Sequence, residues 1–424
     1  MAVEDSPQPR HSSHLQRMCV PEPSLRELVG IVAALMSVNA LAIDTMLGAL
    51  PAMGVALGVH PATRLTWVVG GYVLGYGVAL PFFGMVSDHV GRRRLILGGL
   101  AVYVVGSALI AMTSSWPLLV LLRLMQGAGG ACSVLALAVA RDRYSGPILS
   151  RILSLAFAAF VAVPVLAPAV GQGLLAMVSW RGVFGFIAGC GAVVWVWVAC
   201  RLPESLPAER RQRVQAAAVR RHLAAIAADR PFVVHTAAMT ALLGGLYGLI
   251  NCCQPLIAHG FGVPSLFPLV FGGVAVSVAI AAVVNQRLVT RWGASVTAGH
   301  AVNAYLMLAL GHAAMAWWGR ETLGVFLVFQ VPMMFCFGLA LSNLGAVAMA
   351  GMGERAGTAA AVQGALTSIG GGLVGLVIGQ HADGTALGLT LGSLLCALVA
   401  RLLLGIPPRH LAGVKTEARS IAPR

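Results

Sequence analysis

The chain has 424 residues, 58% of them hydrophobic and only 10% charged, where a soluble domain carries roughly a quarter charged. With a mean hydropathy of +0.86, that composition excludes an ordinary soluble protein. The net charge of +14 would suit a nucleic-acid binder, but the placement of the basic residues argues against one.

Residues 1–24 are polar and lack the apolar core of a cleavable signal, so they read as a disordered cytoplasmic tail. Beyond them come apolar segments long enough to cross a bilayer core about 30 Å thick as helices. Twelve are expected, starting near Leu28, Leu65, Leu95, Trp116, Ile152, Arg181, Phe232, Leu266, Val296, Thr322, Thr358 and Thr385. None alternates polar and apolar as a barrel strand would. The fold class is therefore an all-α polytopic membrane protein. Its domains read as a six-helix half over 25–202, a cytoplasmic linker over 203–231, a second six-helix half over 232–405 and a tail over 406–424.

With the N-terminus inside, only Arg64, Arg181 and Arg320 fall at outer connections and Arg123 inside a helix. The other 24 of 28 basic residues (28 − 3 − 1) sit at inner loops, tails or helix ends. Such bias places both termini in the cytoplasm. Trp67, Trp116, Trp180, Trp317 and Trp318 mark the outer ends, as an aromatic belt would. The linker, with Arg210, Arg211, Arg213, Arg220 and Arg221, reads as a helix on the anionic inner leaflet. Eight cysteines show no CxxC spacing and point to neither a metal site nor disulfides.

Two segments echo each other across the halves. PAVGQ ends at Gln172 and VIGQ at Gln380, and the basic loop 92–94 has a looser counterpart at Arg287–Arg291. Six-plus-six with a basic middle loop is the layout of a transporter built from two repeats. Glycine stretches at 127–131 and 369–375 mark expected helix-packing seams.

Between spans two and three the chain reads GMVSDHVGRRR over 84–94. Gly84 and Gly91 allow close approach and a tight turn, and Asp88 stands beside Arg92 and Arg93 at the membrane boundary. The stretch resembles the GxxxDxxGRR signature of the major facilitator superfamily. AIDTMLGALPAM (42–53), RLMQGAGGA (123–131), ARDRY (140–144), APAVGQ (167–172) and NLGAVAMAGMGERAGTAAAVQG (343–364) are similar to segments of its Bcr/CflA-type drug-efflux subgroup. Thr45-Met46-Leu47-Gly48 and Gln172 depart from the subgroup's patterns. The resemblance implies twelve transmembrane helices in two pseudo-symmetric halves. It implies a conformational latch at Gly84, Asp88, Gly91, Arg92, Arg93 and Asp142 that holds the halves together while the transporter is open outward. It also implies a packing and antiporter motif including Gln126, Gly127, Pro164, Pro168 and Gly171.

Asp44 is a lone carboxylate inside the first apolar segment. Insertion of an aspartate at a helix centre costs about 2.5–3.5 kcal/mol, so such residues face a cavity or a partner. At 100° per residue, Ser37, Leu41, Asp44 and Gly48 form one stripe, as do Arg123, Gly127, Gly130 and Val134 on span four. Asp44 lies about 9 Å and Arg123 about 10 Å from the outer ends of their helices. The two are expected to share one cavity, either as a proton-coupling pair or as a fixed brace. Tyr72, Tyr76, Asn251, Gln254 and Gln363 are expected substrate-cavity residues. His235, His300 and His312 are read as interfacial.

No nucleophile elbow, zinc motif or nucleotide loop is present. The expectation is a secondary transporter and not an enzyme. It exports drugs or other amphipathic small molecules across a bacterial inner membrane, driven by the proton gradient with no cofactor. The alternative is a dedicated carrier of one metabolite, siderophore or amino acid. Expected partners are substrate, protons and lipids, without nucleic acid, and the chain is expected to act as a monomer.

Overall fold

The structure is a computed structural model and describes residues 23–206, 216–382 and 384–405. The expected tails fall outside the described residues, apart from Pro23 and Ser24, as do Arg210, Arg211 and Arg213 of the linker. Among the described residues the chain is helical, with no strand. That follows from composition: in hydrocarbon, a helix satisfies all of its backbone groups within one segment.

The first half holds α1 (Leu25–Asp44), α2 (Leu50–Ala56), α3 (Thr66–Val90), α4 (Arg92–Met112), α5 (Trp116–Gly130), α6 (Leu135–Arg143), α7 (Gly146–Leu175) and α8 (Trp180–Arg201). A shorter helix, α9 (Ala216–Ala228), precedes the second half. That half holds α10 (Arg230–Pro255), α11 (Phe267–Trp292), α12 (Ala294–Trp317), α13 (Leu323–Met349), α14 (Ala356–Gln380) and α15 (Leu387–Leu404). Among the described residues, eleven stretches are long and apolar enough to cross a membrane. The expected twelfth is α12, a helix of 24 residues whose His300, Asn303 and His312 dilute its apolar character.

Two spans are broken helices. The first changes at Asp44 into a 3₁₀ turn, Leu47–Ala49, before α2 resumes with Pro51 in its first turn. The fourth passes from α5 to α6 through a 3₁₀ turn at Ala131–Val134. The repeat, faint in sequence, is clearer in the backbone. α3 ends at Gly91 with φ +104°, and α11 ends at Gly293 with φ +78°. Each glycine donates to the carbonyl four residues back, Ser87 or Val289, and each is followed at once by the next helix. Only glycine adopts such backbone angles without strain.

The halves meet along α3 against α14 and α7 against α11. Glycines allow the approach: a Cβ on Gly84 would lie 3.0 Å from that of Ala361, and one on Gly272 3.0 Å from the Val165 carbonyl oxygen. The two expected seams are equally close, but each lies within one half. A Cβ on Gly127 would sit 2.0 Å from the Tyr72 carbonyl oxygen, and one on Gly375 2.3 Å from the Tyr247 Cβ. Trp180 departs from the expected belt. It is buried, edge-on to Phe184 and under the Arg181 guanidinium, whereas Trp317 and Trp318 are exposed.

Candidate functional site

Between the halves lies a central cavity of about 530 Å³. Along α1 its wall runs from Asp44 back through Ile43, Ala40 and Asn39 to Met36. That places the cavity on the side of Asp44 nearer the 84–94 loop, here called the basic end. Past Asp44, Met46 and Leu47 are fully buried and do not line the cavity.

The stripe expected on α1 is corrected accordingly. Asp44 lies on the cavity wall, but its companions there are Met36, Asn39, Ala40 and Ile43, not Ser37, Leu41 and Gly48. Ser37 donates instead to the Ala33 carbonyl. Gly48 falls in the 3₁₀ turn, where 100° spacing no longer applies.

Most of the polar groups come from the first half; the second adds Ser342 and the Tyr247 hydroxyl. Tyr72 Oη donates to Asn39 Oδ1 at 2.5 Å, Asn39 Nδ2 donates to Ser133 Oγ at 2.6 Å, and Tyr76 is hydrogen-bonded to Ser133. Asp44 is 6% exposed and the one carboxylate on the lining among the described residues. The second half supplies apolar and aromatic surface, with Tyr247, Phe271, Met334, Phe337 and Leu341.

Arg123 does not share this cavity. It is fully buried and makes no ion pair with Asp44 among the described residues. Its Nε donates to the Val68 carbonyl at 2.7 Å, and its Nη1 to Gln126 Oε1 at 2.6 Å and the Ala42 carbonyl at 3.3 Å. The guanidinium sits 4.7 Å from the Tyr72 ring centroid, a cation–π contact. Gln126 in turn donates to Ser107 at 2.7 Å. Arg123 thus ties the first, second and fourth spans together and touches the backbone two residues before Asp44. Equal depth along two helices does not set the rotation of each, so matched depth in sequence could not decide contact.

The packing-motif residues hold this cluster closed. Gly127 takes the Tyr72 carbonyl, and a Cβ on Gly171 would sit 1.9 Å from the Thr45 carbonyl oxygen. Pro164 lines the cavity and Pro168 is buried beside Gly171 in α7.

Of the expected substrate residues, Tyr72 and Tyr76 line the central cavity. Asn251 and Gln254 do not; they line a separate pocket at the opposite end. Gln363 lines neither and donates to Thr236 Oγ1 at 3.2 Å, a helix–helix bond of the kind common among membrane helices. Asn39, Ser133, Tyr247 and Phe337 were not anticipated. Asn39 carried a readable signal, a second polar residue five positions before Asp44 in the same apolar span. The aromatic residues carried none, since aromatic side chains occur throughout the spans.

At the basic end, Arg92 pairs with Asp88 at 2.7 Å and Asp142 at 3.2 Å and also contacts Ser87 Oγ. Arg93 Nη2 donates to the Ala199 carbonyl at 2.6 Å. Glu204 accepts from the backbone N–H of Arg92 at 2.8 Å and of Arg93 at 3.5 Å, capping α4. Ser205 donates to Asp142 at 2.9 Å. All these partners belong to the first half and the start of the linker. Among the described residues, no hydrogen bond or ion pair of the expected latch crosses to the second half; there Gly84 packs against Ala361. With the cavity lying toward this end, the latch residues are paired among themselves.

A model of the Major Facilitator Superfamily matches residues 32–375. The chain is 28% identical over 378 residues to a chloramphenicol resistance protein of Pseudomonas aeruginosa, covering 88% of this chain and 82% of that one. It is 36% identical over 143 residues to multidrug resistance protein D of Escherichia coli (strain K12), covering 34% and 36%. A crystal structure of the human organic anion transporter MFSD10 (TETRAN) superposes with a TM-score of 0.66 at 19% identity, over 90% of this chain and 100% of that one. That likeness speaks to the fold. Together with the family match and the apolar helices, it makes this chain a multi-pass membrane transporter that belongs to the major facilitator superfamily.

Proposed function

We propose that the protein exports drugs or other small amphipathic molecules in exchange for protons across a bacterial inner membrane. The basic end and both termini face the cytoplasm, by the charge bias of the loops. The observation that carries this reading is Asp44, the one carboxylate among the described lining residues, on the wall of a cavity whose second-half face is mainly aromatic and aliphatic. Such a cavity takes an apolar body on one side and a hydrogen-bond donor or a single positive charge on the other. The names of the bacterial relatives, chloramphenicol resistance and multidrug resistance, support the substrate class.

Asp44 has no hydrogen bond or ion pair among the described residues, which leaves its carboxylate to protons and substrate. With the cavity directed to the cytoplasm, Asp44 releases a proton there and receives the polar pole of the substrate. With the cavity directed outward, it takes a proton and the substrate leaves. Arg123 acts as a positioning residue, anchoring the end of α1 through Ala42. The driving force is about 1.4 kcal/mol per proton per pH unit, plus about 2.3 kcal/mol per charge at 100 mV. The protein needs no cofactor and works as a monomer.

The test is proton release from inside-out membrane vesicles, followed with a pH-gradient dye while unrelated drugs are added. Dequenching by several drugs, abolished in Asp44→Asn with protein level unchanged, is the expected result. Proton-driven transport persisting in that variant overturns the role of Asp44. A response to one compound alone replaces multidrug export with a dedicated carrier.

A further inference from the structure

A second pocket of about 560 Å³ lies at the end opposite the basic loop. It shares no lining residue with the central cavity. One wall comes from the first half, around α2 and the connection to α3, and includes Val55, His60 and Thr66. The other comes from the end of α10 and the turn after α14, and includes Asn251, Gln254 and Gly379.

Two of its polar side chains are only partly used by the protein, or not at all, among the described residues. Gln254 is 8% exposed, and its carboxamide has no protein partner among the described residues. Asn251 is 3% exposed; its Nδ2 donates to the Gly375 carbonyl at 3.2 Å, but its Oδ1 is buried without a partner. Of the two carboxamides, that of Asn251 has a fully buried, unsatisfied Oδ1, whereas that of Gln254 opens onto the pocket. They stand three residues apart, on one face of α10. His60 and His259 are exposed at the rim. Among the described residues, no aspartate, glutamate, lysine or arginine lines the pocket.

We propose that this pocket is a second small-molecule site, for an uncharged amphipathic compound that carries amide or hydroxyl groups. A primary carboxamide both donates and accepts, so the Asn251 and Gln254 side chains match an amide or a diol better than an ion. The apolar remainder, from Leu50, Val55, Val59 and Leu65, receives the hydrophobic part. The site also depends on conformation. Its walls belong to different halves, and a Cβ on Gly379 would lie 2.7 Å from Thr66 Cγ2 and 2.8 Å from Asn251 Cβ. When the halves part at this end, Thr66 leaves Gly379 and the pocket is taken apart. An occupant therefore binds the closed arrangement alone and stabilises it by mass action. This binding stands apart from the direction of transport and from proton coupling.

The experiment uses the full chain in lipid nanodiscs and tritiated chloramphenicol, an uncharged amide diol, as the probe. Saturation binding is compared for the wild type, Gln254→Leu and Val55→Trp. Val55 is 85% exposed, so tryptophan there fills the pocket from its rim without entering the core. Two binding components in the wild type are expected, one of them lost in both variants and retained in Phe337→Ala, which alters the central cavity only. Should Gln254→Leu fail to fold, Val55→Trp carries the test. Undiminished binding in Val55→Trp overturns the proposal, as does a single component lost only in Phe337→Ala. Absence of any binding overturns it for this ligand class, while the vesicle assay decides the export reading on its own.

Discussion

Gly127→Ala offers a sharp test of the packing around the buried arginine. The added Cβ would lie 2.0 Å from the Tyr72 carbonyl oxygen, 2.8 Å from its carbon and 3.0 Å from the Tyr76 backbone nitrogen. All three are backbone atoms of α3, so no side chain can swing aside. Restoring ordinary contact at 3.4 Å requires α3 and α5 to separate by 1.4 Å, the difference between 3.4 and 2.0. Lengthened by that amount, the 2.7 Å bond from Arg123 to the Val68 carbonyl ceases to be a hydrogen bond. Overpacking costs about 1–3 kcal/mol, and a hydrogen bond to a charged group is worth about 1.5–3 kcal/mol. The total destabilisation is therefore about 2.5–6 kcal/mol, the sum of those ranges. The assay is thermal denaturation of the purified protein in one detergent, with Gly98→Ala as control. A Cβ at Gly98 meets nothing within 4 Å, and alanine there gains about 1 kcal/mol of helix propensity. The midpoint should fall by several degrees for Gly127→Ala and hold or rise for Gly98→Ala. Equal midpoints would refute the claim that contact between these two backbones holds Arg123 in place.

Three further outcomes are expected. With one proton per cycle and a gradient of one pH unit, a neutral substrate accumulates about tenfold, from about 1.4 kcal/mol; Asp44→Asn proteoliposomes should equilibrate it without accumulation, measured as the steady-state concentration ratio. Asp88→Asn removes the 2.7 Å pair with Arg92 at an exposed site, so drug binding should hold while turnover falls; unchanged turnover removes Asp88 from the mechanism. Gln126→Leu removes one hydrogen bond each from Arg123 and Ser107. Among the described residues these keep only Val68 and Ala42, and Tyr103, respectively, as hydrogen-bond partners; the bond to the charged arginine alone is worth about 1.5–3 kcal/mol. The substitution should lower the thermal midpoint more than Gln363→Leu, whose 3.2 Å bond to Thr236 joins two neutral partners.

The helical class, the run of apolar segments and the basic loop at residues 84–94 were legible from the chain itself. Hydropathy and charge act residue by residue, and the bilayer imposes the same rule on every segment. Gly91 was legible for the same reason, since a tight turn between two spans needs its backbone freedom. The repeat was harder to read, because Gly91 and Gly293 share backbone angles while the residues around them differ. Asp44 stood out as a lone charge, yet its neighbours in space did not.

Which residues line the cavity was decided by the tertiary structure. The first span leaves α-helical geometry after Asp44, so a stripe drawn at constant spacing points elsewhere within one turn. Asn251 and Gln254 read in sequence like Tyr72 and Tyr76, polar residues within apolar helices, but they open onto a different pocket. Arg123 lies at the depth of Asp44 and turns away from it, toward Val68 and Gln126. Depth along a helix follows from residue count, whereas direction around its axis is set by the neighbours that pack against it. Those neighbours come from distant parts of the chain, and in this protein many contacts are set by glycines, where the backbone of one helix touches the backbone of the next.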